Sequence, residues 1–129
     1  MKKAAKKLLG AALILSLAAG YIGIPAQAKD MLDGYEVSGS VSTNSNSATA
    51  VTSYSQPATI KAQAFVSFTY GMLFLENASD IAVAQIGGVS ATAAVPSSGN
   101  AVVTGGRGEH WVTKTGDWHK TTRIGNSKS

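Results

Sequence analysis

The chain is predicted to be all-β, a small antiparallel β-sandwich or barrel that follows a removable N-terminal leader. Three observations predict this. Apolar and polar residues alternate from Ile60 to Tyr70, β-branched residues are abundant where capped helical repeats are missing, and glycine-rich turn signals recur along the chain. Alternation with a period of two marks a strand with one face in a core, and short strands between regular turn signals point to a sandwich or barrel.

The leader comes first. Lys2, Lys3, Lys6 and Lys7 precede an apolar run from Leu8 to Ile24, which Pro25 ends; Ala26-Gln27-Ala28 follows. A basic start, an apolar core and a small-x-small exit are the parts of a secretory signal, so residues 1–28 are expected to be cleaved after Ala28. The apolar run is at the short edge for a membrane-spanning helix. The chain has no cysteine, which excludes a lipoprotein anchor and disulfide support for a small exported domain. A secreted, extracellular protein of a Gram-positive bacterium fits this start.

Removing the leader changes the charge. The formal charge of +4 is carried by the four leader lysines, and the remaining chain holds seven basic and seven acidic residues. The basic pI therefore reports the leader, and nucleic acid is not an expected partner. Residues 29–100 are net acidic, whereas Arg107, Lys114, Lys120, Arg123 and Lys128 make residues 101–129 net basic.

The mature chain divides into a Ser/Thr-rich arm with short strands (29–59), a β-domain core with a C-terminal hairpin (60–122) and a basic tail (123–129). Lys29 to Glu36 is expected as a loose segment with a turn at Asp33-Gly34. Val37, Gly39 and Val41 alternate with serines, Asn44-Ser45-Asn46 reads as a turn, and Ala48, Ala50, Thr52 and Tyr54 resume the period of two. Ile60, Ala62, Ala64, Val66, Phe68 and Tyr70 share one face of the clearest strand. Lys61, Gln63, Ser67 and Thr69 share the other, with Phe65 the exception. Met72 to Leu75 is a short apolar run, either a buried strand or one helical turn. Ile81 to Ile86 is apolar, Gly87-Gly88 is a turn or bulge, and Val89, Ala91, Ala93 and Val95 alternate again. Pro96 to Asn100 is a strong turn before Ala101 to Thr104.

Both tryptophans and both histidines lie between Glu109 and Lys120. A two-residue loop at Thr115-Gly116 would pair Lys114 with Asp117 and Trp111 with Lys120. It would place Trp111 and Trp118 on one face, and His110 and His119 on the other. Arg107, Trp111, Trp118, Lys120 and Arg123 are the expected contact residues: tryptophan supplies an interface-seeking ring and the cations steer toward anions. The competing reading makes the tryptophans core. No nucleophile-elbow context accompanies the serines, and Gly105-Gly106-Arg107-Gly108 lacks the features of a phosphate loop, so no catalytic site is expected. A metal site from His110, His119 and a neighbouring carboxylate is imaginable on one hairpin, but ordinary strand histidines are the expectation. Neither metal nor cofactor is predicted.

Ser53-Tyr54-Ser55, then Lys61-Ala62-Gln63-Ala64-Phe65-Val66, then Gly87-Gly88-Val89-Ser90-Ala91-Thr92-Ala93, resemble the layout of the lactococcin family of small exported β-sheet bacteriocins. The chain departs from that pattern at Ser90, where the family has tryptophan, and near Tyr54, where it has histidines. The resemblance implies a β-sheet fold without disulfides and action on the cell-wall precursor lipid II. The expected function is thus a bacteriocin-like secreted protein that binds an anionic cell-envelope component: lipid II, anionic lipid or wall polymer. The alternative is a structural or matrix-type β protein that packs through its Ala/Ser/Thr/Val strands.

Overall fold

A computed structural model describes residues 25–96 and 100–125. Six antiparallel strands and no helix occur among them: β1 (Ala26–Leu32), β2 (Tyr35–Thr43), β3 (Ser47–Tyr70), β4 (Leu73–Ala94), β5 (Ala101–Thr113) and β6 (Asp117–Gly125). The protein is all-β, as its periodicity predicts. Most of the expected leader lies outside the described residues.

β3 organises the sheet. Its 24 residues far exceed the usual strand length of about 5–6. The first half pairs with β2, from Val37↔Tyr54 to Thr43↔Ala48. The second half pairs with β5, from Thr59↔Thr113 to Tyr70↔Ala101. β4 runs along the other edge of both halves. None of the register pairs includes Ser55, Gln56 or Pro57, so Pro57 costs the ladder no hydrogen bond. Gly87, opposite Tyr54, has φ +110, a conformation that β-carbon-bearing residues rarely adopt. At this crease the long hairpin folds back. The β1–β2 flap comes to lie against β5–β6, and the sheet is nearly closed into a barrel.

The inward face follows the period of two. Ala48, Ala50, Tyr54, Ile60, Ala62, Ala64, Val66 and Phe68 of β3 are all buried, joined by Val37 and Val41 of β2 and Val89, Ala91 and Ala93 of β4. Alanine at so many inward positions brings the two layers close, and larger groups fill the remaining space. Tyr54 is buried and donates its hydroxyl to the Leu32 carbonyl oxygen (2.8 Å).

Several expectations need correction. Residues 29–59 are not an arm: Lys29 to Leu32 completes β1, and β2 with the first half of β3 supplies core residues. Their Ser and Thr residues alternate with apolar ones because half of each strand faces out. Arg123 is not in a tail but in β6, while residues 126–129 lie outside the described residues. Of Met72 to Leu75, Leu73 to Leu75 is strand rather than a helical turn, but only Leu75 is half-buried; Gly71 and Met72 form the turn between Tyr70 and Leu73, paired partners at the β3–β4 tip. The Ile81–Ile86 run is an exposed edge strand, with Ile81 and Ile86 40% and 63% exposed. The expected cleavage point after Ala28 falls within β1, where Ala26 to Ala28 pair with Val41 to Gly39.

Candidate contact surfaces

The register of the β5–β6 hairpin differs by one residue from the sequence expectation. Thr113 pairs with Asp117, Val112 with Trp118, Trp111 with His119 and His110 with Lys120. The loop is Lys114-Thr115-Gly116, closed by the Lys114 amide donating to the Gly116 carbonyl oxygen (3.0 Å). A slip of one residue sends side chains to the other face of a sheet. Trp111 and Trp118 therefore lie on opposite faces, and so do His110 and His119. The imagined metal site on one hairpin face is not assembled.

Of the five expected contact residues, Arg107, Trp111 and Arg123 share the outer face of the layer formed by β6, β5 and the adjoining halves of β3 and β4. Arg107 and Arg123 are direct cross-strand partners. Arg107 is held in place: its guanidinium lies 3.6 Å from the Phe65 ring centroid, bonds Glu109 at 2.6 Å and approaches Glu76 at 3.6 Å. Phe65, the exception to the apolar alternation, is the platform for this cation. Arg123 is exposed and makes no ion pair among the described residues.

The next rows of this face are also filled. Glu109 accepts from Thr121 (2.7 Å) and bonds His119 (2.8 Å) through one oxygen, and takes Arg107 on the other. Burial alone would raise the Glu109 carboxyl, but the hydrogen bonds from Thr121, Arg107 and His119 outweigh it and hold the group below its usual value. The Thr121 hydroxyl bonds the carboxylate rather than the imidazole, so this is not a nucleophile–base arrangement. Trp111 is stacked on His119, with ring centroids 4.7 Å apart and 5° between planes. On its other side Lys61 lies 4.5 Å from the Trp111 centroid. Both faces of this indole are thus taken within the protein, which removes it as an open stacking platform.

Trp118 and Lys120 belong elsewhere. Trp118 is buried and donates its indole N–H to Asp30 (2.9 Å), which also pairs with Lys120 (3.6 Å). The Trp118 hydrogen bond is the main cause that holds the Asp30 carboxyl below its usual value. These two residues fasten β6 to β1. They are not part of the outer face.

His110 is the polar centre of the core. Thr52 on β3 bonds its Nδ1 (2.9 Å) and Thr122 on β6 bonds its Nε2 (2.8 Å). Burial pushes the imidazole down to about 4, so it is neutral at pH 7, one ring nitrogen donating and the other accepting. Gly39 on β2 lies against the ring: a β-carbon there would sit 2.4 Å from His110 Cγ. Glycine at this position lets the flap close over the histidine.

A second surface is apolar and was not singled out from sequence. At the β3–β4 tip Met72 is 102% exposed and Leu73 60%; Phe74, Tyr70 and, on neighbouring β5, Val102 are also exposed. Gly71 within an apolar stretch, its φ +63, is the turn signal that would have located this tip. No family profile, curated protein or solved structure matches the chain.

Proposed function

We propose that this is an exported, non-enzymatic, bacteriocin-like protein that binds an anionic component of a cell envelope through the outer face bearing Arg107 and Arg123. The observation that carries this reading is the direct pairing of two arginines across β5 and β6, one immobilised and one free of any ion pair among the described residues. Glu109 and Glu76 already offset the charge of Arg107, so an anion seated on this face would meet the open guanidinium of Arg123. Guanidinium groups suit phosphate, offering fork-shaped donors to its oxygens. Lipid II pyrophosphate, wall polymer phosphates and anionic lipid headgroups share that chemistry, and the lysine-rich leader supports export to where they occur.

The test is co-sedimentation with phosphatidylglycerol vesicles, with vesicles containing lipid II and with isolated walls. Binding is expected at low salt, a decline with added salt, and a clear loss for Arg123→Glu with folding intact. Absence of sedimentation with all three at low salt overturns the reading.

A second reading, a matrix-type assembling protein, draws on β4. Among the described residues this edge strand pairs only with β3, and its part from Ile81 to Ala94 carries no charged residue. Long uncharged edges favour strand-to-strand association. Concentration-dependent fibres without any envelope component would support it.

A further inference from the structure

We propose that the β3–β4 tip is a membrane-inserting hairpin, which seats one pole of the barrel in the boundary between headgroups and acyl chains of a lipid bilayer. This contact goes beyond the anion binding proposed above and does not depend on Arg107 or Arg123.

Gly71 and Met72 form the apex, with Met72 102% and adjoining Leu73 60% exposed; Phe74 (41%), Tyr70 (39%) and Val102 (56%) flank it. Thr69 pairs with both Phe74 and Val102, so the flanking groups occupy adjoining strands rather than scattered sites. A contiguous exposed apolar cluster marks a contact surface.

Three features select lipid as the occupant. First, the described turns and strand ends around the tip carry no ionised side chain. The described connections there are residues 44–46 and 71–72, and no Asp, Glu, Lys or Arg occurs in 37–60, 68–75 or 81–106. Charge is what makes immersion in hydrocarbon expensive. The opposite pole, with Asp33, Glu36, Lys114 and Asp117, would stay in water. Second, aromatic Tyr70 and Phe74 lie on either side of aliphatic Met72 and Leu73, the order in which rings settle at an interface and aliphatic groups go deeper. Third, the ladder continues to the Tyr70↔Leu73 pair, and β5 pairs with β3 as far as Tyr70. Backbone groups on the β3–β5 side are thus satisfied within the protein, while the turn and the free edge of β4 need water, which limits the contact to the interfacial layer. At about 3.3 Å per residue, two residues of each strand reach roughly 7 Å from the turn, the depth of an interfacial anchor rather than a span.

The chain has no cysteine, so Met72→Cys accepts a polarity-sensitive fluorophore at one place, and Asp117→Cys carries the same label at the far pole. Each labelled full-length chain is mixed with phosphatidylcholine or phosphatidylglycerol vesicles, with and without spin-labelled acyl chains. The label at position 72 is expected to shift to the blue and be quenched in both lipids, with little salt dependence; the label at 117 stays unchanged. Adding Leu73→Asp and Phe74→Asp is expected to reduce the quenched fraction roughly tenfold. Because the readout is local, an apolar leader that held the chain on the vesicle would not mimic it. A label at 72 that stays unquenched on chains that sediment with vesicles overturns the proposal. So does a blue shift that rises with protein concentration without lipid, which would assign the tip to a second copy. Failure of the anion-binding reading would appear separately, as binding insensitive to salt and to Arg123→Glu.

Discussion

The two poles of the barrel are built from opposite materials. At one, the β1–β2 and β5–β6 turns are tied together by polar side chains: Thr115 donates to Asp33 (2.7 Å), Trp118 donates to Asp30 (2.9 Å) and Lys120 pairs with the same carboxylate (3.6 Å). At the other, Asn44 caps its own turn, accepting from the Asn46 and Ser47 amides at 2.8 Å each, and the neighbouring tip leaves Met72 and Leu73 uncovered. One pole uses charge to close the barrel against itself; the other leaves apolar area for contact outside it. Closure and contact are thus separated along the strands, so each can be altered alone.

The largest expected effect is at the closed pole. Trp118→Ala removes a buried ring and leaves Asp30 without its hydrogen bond, and should destabilise the protein by about 3–5 kcal/mol in chemical denaturation. Loss of that size marks the ring as core; an unchanged midpoint would make it a surface group.

Acid comes next. His110 is neutral in the fold, with its value lowered to about 4 by burial, against 6.5 in an unfolded chain. Below pH 6.5 the unfolded chain binds the extra proton, so stability from this group is full above that pH and declines toward pH 4, by about 3 kcal/mol in all. Asp30 and Glu109, both held low, add losses only as pH falls below the ordinary carboxylate range. Denaturation midpoints at pH 7, 5.5 and 4, with an NMR titration of the His110 ring, check this. A His110 that titrates near 6.5 in the folded protein would refute it.

Gly39→Ala tests how tightly the flap closes. Its β-carbon would meet a ring fixed on both sides by threonine hydroxyls, and a cost of about 1–3 kcal/mol is expected. Equal stability would show that the flap can lift. The smallest effect belongs to the open pole: Leu73→Asp should change stability by no more than about 0.5 kcal/mol, because the side chain is mostly in water, while vesicle contact is lost. A large destabilisation would place the tip in the core instead.

Much of the fold was legible in the residues. Inward Ile60, Ala62, Ala64, Val66 and Phe68 were recognised by alternation, as were Val89, Ala91 and Ala93. The hairpin face was not. A good turn at Thr115-Gly116 favoured a two-residue loop, yet the apolar count favoured the slipped register: Val112 shares a face with Trp118 and Ile124 only if the loop has three residues. Weighing packing above turn type would have separated Trp111 from Trp118.

By itself the sequence determined the all-β class and the inward positions of β2, β3 and the end of β4, because these depend on a side-chain period of two. The tertiary structure alone decided which strands pair, how the long β3–β4 hairpin folds at Pro57 and Gly87, and which polar groups meet. Thr52, His110 and Thr122 come from three strands, and Phe65, Arg107 and Glu76 from three as well. Their encounter depends on register between distant segments, and alternating small residues specify register only weakly until the layers close on one another.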